Sequence, residues 1–106
     1  MQKMSKKFHI GDVLSVVGVK LISPNGFSGV SDLIEHMTGK SLTAYGCVLT
    51  RDKCRLELIN QFPQLLNYTD DYVDEENWTD HLKRMAEEHG EYLEVNSFDI
   101  LSKNIK

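Results

Sequence analysis

The helical spacing of apolar residues, interrupted by glycine and proline, most limits what this chain can fold into. Between Ser28 and Thr38, apolar residues recur at the i, i+3, i+4 and i+7 positions of one helix face, and Gly39 follows as a C-terminal cap. The apolar residues are Val30, Leu33, Ile34 and Met37. The pattern predicts an amphipathic helix over residues 28–38, which must bury one face against another part of the chain.

Two further helices are predicted on either side of this one. The segment Ile10–Gly18 is apolar around most of its circumference, and its last glycine can adopt the left-handed conformation that ends a helix. Later in the chain, Thr50 can cap a helix that buries Cys54, and Pro63 prevents its continuation. We therefore expect a short buried helix first and a helix that ends near Phe62 third.

The C-terminal third predicts a fourth helix, and short strands are expected between the helices. The fourth helix begins in an acidic run, turns Trp78, Leu82 and Met85 inward, and stops at Gly90. Three segments have the apolar content or alternation of strands. They are Val19–Ile22, Leu42–Leu49 and Tyr92–Val95.

Length and composition indicate one ordinary globular domain. The chain has 106 residues, 41% hydrophobic and 26% charged, which is enough apolar content for a single core and argues against disorder. We predict an α+β fold, mainly helical with about four helices and a short sheet or hairpin. The domain is expected over residues 8–101, with a flexible N-terminal arm at 1–7 and a flexible tail at 102–106.

Several classes of protein are disfavoured by what the sequence lacks. It contains no long apolar run, so neither a membrane span nor a signal peptide is expected. Cys47 and Cys54 are too few for a disulfide framework, which favours the cytoplasm as the compartment. A helix-turn-helix is disfavoured because the segment between the first two helices is long and the second helix carries Asp32 and Glu35.

Catalytic and metal-binding motifs are also absent from the sequence. We find no glycine-rich phosphate loop, no His-Glu-x-x-His and no Gly-x-Ser-x-Gly. The four histidines are scattered, and their spacing with the two cysteines does not require zinc. Cys54 lies on an apolar helix face and is expected to be a small core residue. We therefore expect no enzyme activity, no cofactor and no metal.

Charge divides the chain into a basic and an acidic half. Residues 1–65 contain eight Lys or Arg against five Asp or Glu, whereas residues 66–106 contain four against eleven, so the halves carry +3 and −7. Five of the acidic residues lie within seven positions: Asp70, Asp71, Asp74, Glu75 and Glu76. This run is either a solvated linker that leads into a helix, or an acidic surface that imitates nucleic acid or docks on a basic protein groove.

Polar and basic residues in the turns of the first half form the second candidate site. Two expected helix N-termini, at Gly26–Ser28 and Thr50–Arg51, would lie beside cations and together could receive an anion. The candidate ligand-binding residues are Ser15, Lys20, Thr38, Lys40, Tyr45, Arg51 and Arg55. Tyr45 would stack on a base. The alternative is that these side chains cap helices and face solvent.

Several motifs between residues 8 and 90 also carry a family resemblance. They are Gly11-Asp12-Val13-Leu14-Ser15, Met37-Thr38-Gly39, Asp52-Lys53-Cys54-Arg55, Gln61-Phe62-Pro63-Gln64-Leu65 and Glu76-Asn77-Trp78. With these motifs the chain resembles a family of small tailed-bacteriophage proteins to which no activity is assigned. It departs from the family pattern at Val17-Gly18-Val19-Lys20 and at Ala44-Tyr45-Gly46-Cys47-Val48-Leu49. The resemblance implies a phage source and a site of action in the bacterial cytoplasm.

Small phage proteins without an active site often act by stoichiometric binding, which leaves two functional hypotheses. The first is a sponge that sequesters an anionic nucleotide-like immune signal at the candidate ligand-binding residues, at a subunit interface of a homo-oligomer. The second is an inhibitor, similar to anti-CRISPR proteins, that presents the acidic run and the Trp78 helix to a host defence protein. A structural or regulatory phage protein is a third interpretation.

Overall fold

The computed structural model describes residues 5–39 and 41–97. These residues form four α-helices and a two-stranded antiparallel sheet, which confirms the predicted α+β class. The elements in chain order are β1 (Ser5–His9), α1 (Ile10–Val17), α2 (Gly26–Thr38), α3 (Ala44–Gln61), a 3-10 turn (Pro63–Leu65), α4 (Trp78–His89) and β2 (Tyr92–Asn96).

Helix α1 lies at the centre of the packing. All eight of its residues are buried, because α2, α3, α4 and both strands contact it. The other elements contribute apolar side chains to the same core, among them Phe8, Leu33, Ile34, Met37, Cys54, Leu58, Leu82, Met85, Leu93 and Val95. The described residues therefore share one hydrophobic core built around the shortest helix.

The sheet pairs the two ends of the described chain. The strand expected at Tyr92–Val95 is confirmed as part of β2, which buries alternate residues and exposes the others. Its partner is β1, in which Phe8 lies opposite Leu93. Residues 5–7, expected in a flexible arm, are therefore paired in a strand. The expected tail at 102–106 lies outside the described residues.

Helix α3 begins earlier than predicted. The Thr43 hydroxyl, not that of Thr50, caps the helix by accepting a hydrogen bond from the Gly46 amide at 3.0 Å. Thr50 lies inside the helix, where its hydroxyl donates to the Gly46 carbonyl at 3.0 Å. The strand predicted at Leu42–Leu49 is therefore wrong, because this threonine cap starts a helix within that segment.

The segment after α1 is a loop, so the strand predicted at Val19–Ile22 is also wrong. Its first two amides, those of Val19 and Lys20, both donate to Oδ2 of Asp70, each at 2.7 Å. A carboxylate thus takes the hydrogen bonds that a neighbouring strand would have accepted. This contact joins the loop to the start of the acidic run.

Gly18 ends α1 for a different reason from the one predicted. Its φ of −89° is not left-handed, so the conformation alone does not require glycine. A Cβ atom at this position would lie 2.5 Å from Oδ2 of Asp70 and 2.8 Å from the Tyr68 ring. Glycine is required because these two side chains approach the backbone closely.

The two amphipathic helices agree most closely with prediction. Helix α2 begins at Gly26, two residues before the predicted Ser28, and Gly39 caps it with a φ of 73°. Helix α4 begins at Trp78, after the acidic run and not within it, and ends before Gly90. Leu82 and Met85 are buried as predicted, and His81 is buried with them.

The buried Asp70 carboxylate provides a direct test of the fold. We expect Asp70→Ala to lower the free energy of unfolding by about 3 kcal/mol, because two charge-assisted hydrogen bonds to the 18–20 segment are lost. The matched control Asp71→Ala removes an exposed carboxylate and should change the free energy by less than about 0.5 kcal/mol. Urea denaturation followed by circular dichroism measures both. Equal effects would contradict this role of Asp70.

Candidate functional site

The two arginines of the predicted anion site point to the end of α1. Nη2 of Arg51 donates to the Ser15 carbonyl at 3.2 Å and to the Gly18 carbonyl. Nε of Arg55 donates to the Val17 carbonyl at 2.8 Å. Terminal helix carbonyls have no partner within their own helix and carry partial negative charge, so cations stabilise them. Both guanidinium groups therefore cap α1.

Lys20, in the loop after α1, also donates to backbone carbonyls. Its ammonium donates to the carbonyl oxygens of Asp71, at 3.3 Å, and of Val73. Together with the bonds from the loop amides to Asp70, these contacts fasten the 18–20 segment to residues 70–73. The lysine side chain thus holds backbone of the acidic half.

Two predicted ligand-binding hydroxyls are buried. The Ser15 hydroxyl donates to the Gly11 carbonyl at 2.7 Å and accepts from the Ile22 amide at 2.9 Å. The Thr38 hydroxyl donates to a carbonyl of its own helix at 2.9 Å. Both side chains are at most 5% exposed. Both hydroxyls make their hydrogen bonds to backbone groups of the core.

Tyr45 lies on the outer face of α3, away from the arginines. It is six residues from Arg51, which places the two side chains about 120° apart around the helix axis. Exposed apolar residues share its face: Val48, Leu49 and Leu56. Lys40 lies outside the described residues. The structure therefore gathers Lys20, Arg51 and Arg55 around the end of α1, without Tyr45.

The groove beside the arginines is electrostatically mixed. It has a volume of about 360 Å³ and is lined by Arg51 and Arg55, but also by Asp52, Asp70 and Asp71. The expected second helix N-terminus is absent here, because Arg51 lies within α3. An anion in this groove would meet carboxylates as well as guanidinium groups, which disfavours phosphate binding.

The acidic run separates into one buried carboxylate and an exposed loop, here named the acidic loop (residues 71–76). Asp70 is 2% exposed and belongs to the core, whereas the carboxylates after it are exposed. One oxygen of Asp74 accepts hydrogen bonds from the amides of Glu76, at 2.9 Å, and Asn77, at 3.0 Å. These bonds fix the conformation of the loop at the start of α4.

A pocket of about 520 Å³ lies where the acidic loop meets the 18–23 segment. Its walls are mainly apolar, with Leu21, Ile22, Val73 and the half-buried Trp78. The charged residues that line it are Lys20, Asp74 and Glu75. The pocket therefore combines an aromatic surface with carboxylates of the acidic loop.

His81, a residue of α4, hydrogen-bonds the acidic loop and holds it against this helix. Its Nε2 lies 2.8 Å from the Tyr68 hydroxyl and its Nδ1 lies 2.7 Å from the Tyr72 hydroxyl. Burial and the nearby Arg84 lower the pKa of His81 below its ordinary value of 6.5. Burial and the Asp70 charge raise the pKa of Tyr68 well above its ordinary value. The three rings thus form one hydrogen-bonded cluster, which no local sequence pattern indicates.

Both cysteines are buried, and the histidines belong to no metal-type cluster of the described residues. Burial, with Cys47 and Glu57 nearby, raises the pKa of the Cys54 thiol to about 12, so it is protonated at neutral pH. Cys47 is also buried. Within residues 5–39 and 41–97, no three His, Cys, Asp or Glu side chains are arranged to hold a metal ion.

Comparisons with known proteins add no homologue. No protein-family model, curated protein or solved structure matches the chain. Across the described part of the chain, no helix is long and apolar enough to cross a membrane.

The buried histidine predicts a specific pH dependence of stability. Because the pKa of His81 is lowered on folding, the unfolded chain takes up a proton first as the pH falls below about 6.5. We expect the free energy of unfolding to decrease between pH 7 and pH 5.5, by at most about 1.4 kcal/mol per pH unit from this group. His81→Gln should remove that component, and His89→Gln should retain it. Urea titrations across this range that show the same pH dependence in His81→Gln as in the unsubstituted protein would contradict the assignment.

Proposed function

We propose that this protein is a non-enzymatic phage accessory protein that counters host defence by binding a basic surface of a host protein. The acidic loop and the adjoining Trp78 pocket form the contact surface. The phage source and the cytoplasmic site of action rest on the family resemblance. The mode of action rests on the placement of the charges.

The observation that carries the proposal is the fixed exposure of four carboxylates on one loop. They belong to Asp71, Asp74, Glu75 and Glu76. The loop is held at one end by Asp70 and Lys20 and at the other by the Asp74 turn at the start of α4. A preorganised acidic surface loses little conformational entropy on binding, and its field steers a basic partner toward it.

The nucleotide sponge receives less support from the same contacts. Three of its four proposed cations donate to backbone carbonyls of the α1 C-terminus or of the acidic loop; they are Lys20, Arg51 and Arg55. The fourth, Lys40, lies outside the described residues. A phosphate would have to compete with those bonds, and the loss of them would weaken the fold. The sponge stays an untested prediction that no contact in the described residues favours.

Charge reversal on the acidic loop tests the proposal in cells. The protein is produced in bacterial strains that each carry one defence system, and the plating efficiency of a sensitive phage is measured. We expect plating to recover in at least one strain, and the triple variant Asp71→Lys, Glu75→Lys, Glu76→Lys to abolish the recovery. This variant leaves Asp70 and Asp74, which hold the loop, in place.

A matched control separates the acidic loop from net charge. Asp32→Lys, Glu87→Lys, Glu88→Lys changes the net charge equally on exposed positions of α2 and α4, and should retain the recovery. If the loop variant restores plating as well as the control does, the acidic loop is not the contact surface. If the unsubstituted protein restores plating in no strain, the counter-defence proposal fails for the systems tested.

A further inference from the structure

The Trp78 pocket has a composition that suits a long amphipathic side chain. Leu21, Ile22 and Val73 provide aliphatic walls, and Trp78 adds an indole surface. At about 520 Å³ the pocket is large enough to receive one side chain with part of its backbone. Apolar walls of this kind bind the hydrocarbon part of a side chain.

The charges that line the pocket favour a cation as the occupant. Asp74 uses one carboxylate oxygen for the turn at the start of α4, and its other oxygen has no hydrogen-bond partner among residues 5–39 and 41–97. Glu75 is exposed and makes no hydrogen bond or ion pair within the described residues. Lys20, the one basic residue among those that line the pocket, already donates to the Val73 carbonyl. Two carboxylates thus remain for a ligand beside one committed ammonium group.

From this arrangement we propose that the pocket binds an arginine side chain of the partner protein. The inference rests on the proposed function and names the group that anchors the partner. The arginine stem packs on the aliphatic walls, and its guanidinium group contacts the indole of Trp78 and pairs with Glu75 and Asp74.

Arginine fits the pocket better than lysine for a physical reason. A guanidinium group is planar and weakly hydrated, so it stacks on an indole and still donates several hydrogen bonds to carboxylates. An ammonium group is compact and strongly hydrated, and loses more on leaving water. An uncharged side chain of equal length would fill the walls but leave Glu75 and Asp74 unpaired.

Trp78 makes the pocket directly observable, because it is the only tryptophan in the chain. Its fluorescence is followed while the full-length protein is titrated with the blocked tripeptide acetyl-Gly-Arg-Gly-amide. The same peptide with lysine, norleucine or glutamate at the centre provides the comparison. We expect a saturable change with arginine, an affinity about fivefold weaker with lysine, and no saturation with the other two.

Two adjacent glutamates provide a matched pair of variants. Glu75 lines the pocket and Glu76 does not, although both are exposed. Glu75→Gln should lower the affinity for the arginine peptide about threefold or more, and Glu76→Gln should leave that affinity unchanged. Equal responses to arginine and norleucine, or equal effects of the two substitutions, would overturn the proposal.

The peptide titration and the plating assay distinguish failure of the arginine site from failure of the proposed function. If the arginine peptide shows no selectivity while the acidic-loop variant still loses plating recovery, the pocket is not an arginine site but the docking surface stands. If the arginine peptide binds selectively while the acidic-loop variant keeps full recovery, the pocket stands and the proposed function falls.

Discussion

The fold depends on the side chains that hydrogen-bond the backbone groups at the C-terminal end of α1. The carbonyls in the last turn of this buried helix have no partners within the helix, and the amides of the loop that follows it also need hydrogen-bond acceptors. Arg51 and Arg55 donate to the carbonyls, and Asp70 accepts from the amides of Val19 and Lys20. Three distant parts of the chain, α1, α3 and the acidic run, therefore meet at one point. There the arginines supply donors for the helix carbonyls, and Asp70 supplies the acceptor for the loop amides.

These hydrogen bonds at the end of α1 also position the candidate site. The 18–23 segment forms one wall of the Trp78 pocket, and the acidic loop forms the other. Asp70 and Lys20 tie these two walls together, and the His81 cluster fixes the acidic loop on α4. Three cations of the basic half, Lys20, Arg51 and Arg55, are thus used inside the fold. The acidic loop presents its carboxylates outward. This division of charge favours a basic protein partner over an anionic small molecule.

The sequence predicted the elements in which local pattern and tertiary packing agree. Helices α2 and α4 have a clear apolar face and a glycine after the last turn, and both are confirmed. Helix α3 was placed too late because its outer face carries Tyr45, Val48 and Leu49, which obscure the helical period. Strand β1 was missed because it has a single buried residue, Phe8, and forms only by pairing with β2.

The site was harder to predict for a related reason. A run of acidic residues looks uniform in sequence, yet Asp70 is buried and its neighbours are not, because only Asp70 reaches the amides after α1. Likewise, Arg51 and Arg55 resemble ligand-binding cations until their carbonyl partners, more than thirty residues away, are known. Contacts between distant segments leave no local signal. The exposed acidic residues of this run were identified from the sequence as a candidate site, whereas Trp78 was expected only as an inward-facing residue of the fourth helix.

Amide hydrogen exchange measured by NMR tests the central claim most directly. The amides of Val19 and Lys20 are hydrogen-bonded to Asp70 although they lie in an exposed or half-exposed loop. We expect both amides to exchange as slowly as those in the last turn of α1, because the same contacts must open to release them. Exchange of these two amides at the rate of an unprotected loop would show that Asp70 does not hydrogen-bond the segment after α1. It would also remove the basis for the fixed acidic loop and its pocket.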